Sequence, residues 1–314
     1  MESLIDFVRD ELGNPGLATL LSSPSFFFIQ VMNSISMGMY LFILAAGLSL
    51  IFGVLNVINF AHGAFYMFGA YTLYTVSQEM ELSFWLGVVA AALALGLLAI
   101  VIERGLFQFL YDKEHLMQLL LTFGVVLILG DMAKMIWGTD QLSVSYPPGM
   151  DGAINLGVTY YPTYRLLLCL IGPLIAIGLW YLIEKTRWGR VIRGATQDRE
   201  MLAALGINVP FVYTSVFILG SMLAGIGGAL SSPFNSPTPG MDATIIVDCF
   251  VIVIIGGLGS LWGTFIGALI YGVVYNFGSV ILPNWQDVFA FLLLMAVLLV
   301  RPWGLFGRPI TGGH

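Results

Sequence analysis

The sequence predicts an all-α integral membrane protein, a polytopic bundle of about 8–9 transmembrane helices. Three observations carry this. Of 314 residues, 58% are apolar and 10% charged, whereas a soluble domain carries about 25% charged residues. With a mean hydropathy of +0.92, the chain cannot supply the polar exterior that a soluble fold of this length needs. Apolar runs recur at lengths that suit hydrocarbon, where a helix satisfies its own backbone over about 20 residues. The basic residues are also distributed unevenly between the runs.

Taken in order, the runs are 26–52, 57–77, 83–102, 116–137, 164–183, 211–231, 244–261, 262–282 and 287–300. The first is over-long and the last is short unless tilted or extended. Lys and Arg of short loops stay on the cytoplasmic side. With nine spans and the N-terminus outside, the inner loops hold Arg104, Lys113, Lys185, Arg187, Arg190, Arg193, Arg199, Arg301 and Arg308. The outer side keeps Arg9, Lys134 and Arg165, and collects Glu79, Glu81, Asp140, Asp151, Asp242 and Asp287. Nine basic residues against three favour N-outside, C-inside. Trp180, Tyr181, Trp188, Trp285 and Trp303 fall near span ends, at headgroup level.

The organisation expected is an N-terminal lead over 1–25 on the outer side, a transmembrane domain over 26–306, and a tail over 307–314. The lead carries Glu2, Asp6, Asp10 and Glu11 against Arg9 alone, without the basic n-region or cleavage site of a signal peptide. Two connections exceed a turn: 138–163, rich in Pro, Gly and Tyr and expected outside, and 184–210, the longest polar stretch and expected in the cytoplasm. Cys169 and Cys249 lie in apolar runs, where cysteine behaves as a small hydrophobe, so no disulfide framework follows.

Enzyme signatures are lacking. None of Lys113, Lys134 and Lys185 follows a glycine, as a phosphate-cradling loop requires. His62, His115 and His314 are scattered, and no Cys/His cluster has metal-ligand spacing. There is no Gly-x-Ser-x-Gly elbow. The chain therefore reads as no enzyme, without cofactor or metal of its own, and any ATP it uses is hydrolysed, with Mg, by another chain.

The segment 47–71, GLSLIFGVLNVINFAHGAFYMFGAY, sets Asn56, Asn59 and His62 three residues apart between Gly53, Gly63 and Gly69. On one helix those three would share a face. Clustered intramembrane polar groups often line a path, and glycines beside them allow broken helices. A short turn with the amides as caps fits as well, and His62 alone reads more readily as a structural hydrogen-bonding residue than as a proton relay. The segment 256–267, GGLGSLWGTFIG, is equally glycine-dense, with Gly256, Gly257 and Gly259 favouring a tight turn or unwound stretch. An inverted repeat relating the two segments fits, and so does an unrelated pair of turns.

Asp131 and Asp248 fall inside predicted spans, where an ionisable group is a functional candidate. Lys134 at i+3 offers Asp131 a plain ion pair, while Asp248 has no local partner. In 184–210, the run from Asp198 to Gly206 reads as a short amphipathic helix with an acidic N-cap and a C-terminal glycine. It could dock a cytoplasmic partner or rest on anionic headgroups.

Three stretches together resemble the permease subunits of bacterial ABC importers for branched-chain amino acids, specifically the first of their two paired permeases. They are the 47–71 segment, WGRVIRGATQDREMLAALGINV from Trp188, and IVIIGGLGSLWGTFIGALIYG, with a weaker echo in LLLTFGVVLILGDMAKMIWG. The likeness runs over 30–306. It implies a second homologous permease, two cytoplasmic ATP-binding subunits, a periplasmic substrate-binding protein and a bacterial inner membrane, with no nucleic acid. It also implies that Gly189, Arg190, Arg193, Ala195, Asp198, Glu200, Ala203, Gly206 and Ile207 belong to an ATPase-coupling loop. Asn56, Asn59, His62, Gly63, Gly256, Gly257 and Gly259 are then the candidates for pathway lining or hinges. Gly130-Asp131 replace the Asn-Glu expected in the fourth span, Trp262 replaces a frequent proline, and Asp248 replaces a neutral or basic residue. These departures bear on substrate, for which relatives suggest neutral amino acids, urea, short amides or small organic acids. A secondary transporter coupled through Asp131 or Asp248 is the competing class, and it needs no 184–210 loop.

Overall fold

The computed structural model describes residues 15–307 except Leu110, Asp112 and Asn284. Glu2, Asp6, Arg9, Asp10 and Glu11 of the lead, with Arg308 and His314, lie outside the described residues. The described chain is helical apart from one short hairpin. Its helices are α1 (Pro15–Ser22), α2 (Pro24–Leu55), α3 (Ala61–Tyr74), α4 (Phe84–Gly105), α5 (His115–Trp137), α6 (Thr163–Lys185), α7 (Arg187–Gln197), α8 (Arg199–Ala204), α9 (Val209–Ser231), α10 (Met241–Gly256), α11 (Leu261–Ile281) and α12 (Gln286–Val300). A π-helical turn, Thr75–Glu79, prolongs α3.

Among the described residues, six helices are long and apolar enough to cross a membrane: α2, α4 with the turn after it, α5, α6, α9 and α11. The runs expected at 57–77, 244–261 and 287–300 are shorter, as α3, α10 and α12 of 14, 16 and 15 residues. At about 1.5 Å per residue they reach about 21–24 Å, less than the hydrocarbon thickness of about 30 Å. They nonetheless run between the same two ends of the bundle as the longer helices. One end gathers α7, α8 and the α2–α3 and α10–α11 turns. The other carries the hairpin β1 (Ala153–Asn155) and β2 (Tyr160–Pro162), paired antiparallel with Ile154 opposite Tyr161.

That hairpin lies in the 138–163 connection, which the sequence presents only as a Pro- and Gly-rich loop. Its turn is local chemistry: Gly157 at φ +86° donates its N–H to Asn155 Oδ1 at 2.8 Å. Nearby, Tyr161 OH and Arg165 Nη1 both donate to Asn33 Oδ1 on α2, at 3.2 and 2.7 Å. The hairpin is thereby fastened to the first long helix.

The core is built around α3. Eleven of its fourteen residues are buried, so the helix is apolar all round and touches protein on every side. α4, α5, α9 and α10 enclose it, and α2 reaches it through Leu44 O at His62. Inward rings interlock edge to face, with Phe65 on Phe217 at 5.9 Å and Phe42 on Phe265 at 5.1 Å. At the hairpin end Trp137 stacks on Tyr71 at 4.7 Å and donates its indole N–H to Thr75 Oγ1 at 2.8 Å. α5 and α6 lie outermost, each with only 22% of its most apolar window buried. Their outward residues, among them Leu120, Leu127, Leu170 and Leu174, are apolar and exposed. Cys169 and Cys249 are both free thiols.

Candidate functional site

The 184–210 connection folds as two helices at a corner. Thr186 caps α7, its Oγ1 accepting from Gly189 N at 3.1 Å. A Cβ on Gly189 would lie 1.9 Å from the carbonyl oxygen of Ile183, so α7 folds back on the end of α6 only with glycine there. Arg193 reaches the same corner, donating to Ile183 O and pairing with Glu184 at 3.3 Å. Trp188 Nε1 donates to Ser215 Oγ on α9 at 2.9 Å. Ile192, Ala195 and Leu202 are buried beneath the two helices.

Asp198 separates the helices and caps the second, its Oδ1 accepting from Met201 N at 2.9 Å. α8 ends where Gly206 takes φ +82°. The amphipathic run expected from Asp198 to Gly206 is thus present as a helix. What it leaves outward is Arg190, Glu200, Met201, Ala203, Leu205 and Gly206, all exposed. Met201 and Leu205 are 54% and 70% exposed. A short helix with apolar side chains outward and a basic helix beside it is a surface suited to another protein.

The two glycine-dense segments meet at this same end. Asn56 caps α2 in the left-handed conformation, φ 54°, and its N–H donates to Phe52 O at 2.9 Å. Asn59 lies in the turn, where its Oδ1 accepts from Ala61 N at 3.1 Å and starts α3. His62, in the first turn of α3, is fully buried with Nε2 2.9 Å from Leu44 O on α2. The three side chains therefore do not share one helical face, because the chain turns between the first and the last. Among the described residues, Asn59 Nδ2 and His62 Nδ1 are buried without a hydrogen-bond partner. Gly63 lies against α10, where a Cβ would fall 2.5 Å from Asp242 O.

Across from Asn56, α10 ends at Gly256, packed on Gly263 of α11. Gly257 and Gly259 take φ +102° and +78°, and Ser260 then caps α11 through Gly263 N at 3.1 Å. Gly53 and Gly259 abut without side chains between them: a Cβ on either would come within 2.8–2.9 Å of the other's Cα. The segment after α12 closes over this turn, Leu305 and Phe306 donating their N–H groups to Ile255 O and Gly256 O. Two cavities flank the contact. One of about 600 Å³ lies between Gly53, Gly259, Glu184, Arg193 and Trp262. The other, about 760 Å³, lies between Asn56, Leu258, Ala195, Arg199 and Tyr213. Helix breaks and the 184–210 segment thus share walls.

Asp131 pairs with Lys134 at 3.0 Å, both side chains largely exposed. Asp248 accepts from Tyr271 OH at 2.7 Å, a partner on another helix that sequence spacing does not disclose. Glu103 is the residue that sequence reasoning missed. It stands beside Arg104 at the end of a predicted span and so passes for a flanking charge. In the structure it is 1% exposed. Its carboxylate accepts from Tyr111 OH and Thr214 Oγ1, each at 2.7 Å. This ties the α4–α5 connection to α9, beside the second cavity. Burial and the Glu103 charge push the Tyr111 phenol well above its ordinary range, so it stays a donor. Among the described residues, no three His, Cys, Asp or Glu side chains gather as metal ligands would.

Known proteins are similar to this chain over most of its length. The high-affinity branched-chain amino acid transport system permease protein LivH of Salmonella typhimurium is 28% identical over 299 residues, 90% of this chain and 96% of its own. The corresponding BraD protein of Pseudomonas aeruginosa is 28% identical over 293 residues, covering 89% and 95%. A solved structure of PsaBC from Streptococcus pneumoniae in complex with Fab aligns at TM-score 0.49 and 11% identity, covering 91% and 95%. The family model for the branched-chain amino acid transport system permease component matches residues 30–298, and the chain belongs to that family.

Proposed function

We propose that this chain is a transmembrane permease subunit of an ABC importer for branched-chain or other neutral amino acids. The observation that carries the reading is the corner of α7 and α8: a tightly packed, glycine-dependent helix pair whose outer face is exposed and whose inner face borders both helix breaks. In this reading an ATP-binding subunit seats on Arg190, Glu200, Met201, Ala203 and Leu205. The corner built on Gly189, Arg193, Ala195 and Asp198 transmits its movement, and Gly206 lets α8 rotate as a unit.

ATP and Mg are then used only by two cytoplasmic partners. A second homologous permease completes the pore, and a periplasmic binding protein delivers the solute to the hairpin end. The basic end faces the cytoplasm of a bacterial inner membrane, with the N-terminus outside, because it holds Arg104, Lys113, Lys185, Arg187, Arg190, Arg193, Arg199 and Arg301. The Asn56–Asn59–His62–Gly63 turn and the Gly256–Gly257–Gly259 turn act as paired hinges at the inner mouth of the path. Closure of the ATPases pushes α7 and α8 against these turns, and the path opens to alternate sides.

The test is to co-express the chain with its paired permease and ATPases, purify through this chain, and measure ATP hydrolysis in lipid. Co-purification, with hydrolysis raised by a binding protein loaded with leucine, isoleucine or valine, is the expected result. A chain that purifies alone and accumulates solute under an ion gradient without ATP would overturn the reading in favour of a secondary transporter.

A further inference from the structure

Asp248 is placed where lipid cannot be its surroundings. Tyr271, whose phenol donates to it at 2.7 Å, is the middle residue of α11, a helix long enough to span. The carboxylate therefore sits near mid-depth of the membrane. It is only half-buried and opens onto a cavity of about 170 Å³ at the bundle surface between α10, α11 and α12.

The cavity wall is graded. Thr244, one turn nearer the hairpin end on α10, is exposed on it, and Asp287 at the first turn of α12 stands at its hairpin-end rim. Val247 and Phe291 supply the apolar part, 40% and 50% exposed. A polar track thus runs from the hairpin end to the middle of the membrane on an outward face. The outward faces of α5 and α6 differ, being apolar through their middles. The other outward carboxylate, Asp131, carries its own counter-charge in Lys134. A carboxylate at mid-depth faces a bundle interior or a water-filled path, because exposure to hydrocarbon is strongly unfavourable.

We propose that the Thr244–Asp248 face of α10, with Tyr271 and Asp287, is the wall of a water-filled path whose opposite wall is the paired permease. This rests on the permease reading above and names the face that reading leaves open. Tyr271 holds the Asp248 carboxylate toward the path, so the pair lines the route from the hairpin end down to the hinges.

The experiment uses the assembled complex in lipid nanodiscs, with Cys169 and Cys249 replaced by alanine and single cysteines at Thr244→Cys, Val247→Cys or Leu174→Cys. Reaction with a charged methanethiosulfonate is expected to be more than about tenfold faster at the first two positions than at Leu174→Cys, since only thiolates reached by water react with it. A nitroxide at position 244 should collide with a water-soluble nickel chelate more than with oxygen. Oxygen-dominated collisions at 244 would place that face in lipid, and protection from both would place it in a dry contact. Either result overturns the proposal. Asp248→Asn should lower solute uptake severalfold in a complex that still assembles, and unchanged uptake would also count against it. The outcomes separate from the importer reading. Failure to co-purify with ATPases overturns the importer reading whatever the access at 244, whereas lipid access at 244 in an ATPase-bearing complex refutes the path alone.

Discussion

The carboxylate of Glu103 on α4 and the hydroxyl of Thr214 on α9 lie 2.7 Å apart inside the bundle, with Tyr111 OH closing the same carboxylate from the other side. Removing the acid leaves Tyr111 OH without its acceptor, at about 1–3 kcal/mol, while Thr214 Oγ1 falls back on Pro210 O at 3.0 Å. Glu103→Ala is therefore expected to lower thermal stability strongly in detergent, read by intrinsic fluorescence. Glu103→Gln, which keeps one acceptor oxygen, should fall between. Equal stability of both variants and wild type would show that the contact contributes nothing net.

Gly53 and Gly259 form a contact that tolerates no side chain. Gly53→Ala improves helix propensity by about 1 kcal/mol, yet its Cβ would lie 2.8 Å from Gly259 Cα. Gly259→Ala adds about 1–2 kcal/mol of left-handed backbone cost at φ +78°. Each single variant should reduce uptake and stability. The double variant should cost less than the sum, since one displaced turn relieves both clashes. Strict additivity in a thermal-unfolding cycle would mean that the turns move independently.

Gly189→Ala drives a Cβ into Ile183 O at 1.9 Å, so the α6–α7 corner opens. Stimulation of ATP hydrolysis by loaded binding protein should drop by about tenfold or more, equivalent to about 1.4 kcal/mol of coupling, while unstimulated hydrolysis persists. Preserved stimulation would show that the corner is not the transmitting element. Asp198→Ala should act more weakly, because α8 loses a cap of about 1 kcal/mol.

Asp131 and Lys134 form an exposed i, i+3 pair, a class worth about 0–1 kcal/mol. Asp131→Asn with Lys134→Gln should leave uptake within about twofold of wild type. Abolished uptake, together with a lost dependence on an ion gradient, would instead make Asp131 a coupling group.

Much of this architecture is legible in the chain because hydrocarbon imposes one length on every span. The runs at 116–137, 164–183 and 211–231 differ from α5, α6 and α9 by at most two residues at either end. Asp198 and Gly206 bound α8 as capping chemistry requires. What escaped were relationships between distant segments. The Asn56–Asn59–His62 spacing fits a single helix face, yet the left-handed Asn56 cap turns the chain between them, a choice made by packing against the 257–260 turn. Glu103 and Asp248 find Thr214 and Tyr271 on other helices, 111 and 23 residues away. α3, α10 and α12 are shorter than the apolar runs that contain them or fall short of a full span, and no periodicity records that.

The shortness and burial of α3 bear on how the protein is made. A stretch reaching about 21 Å cannot cross the bilayer alone, and inside the finished bundle it meets no lipid. The neighbour in sequence that packs on it is α4, so α3 enters with that span and waits with an unburied flank. Its largest neighbours on the far side, α9 and α10, are synthesised more than a hundred residues later. Until residues 209–256 leave the ribosome, the centre of this bundle has no second half to close against, and quality control of the nascent chain has its longest window there.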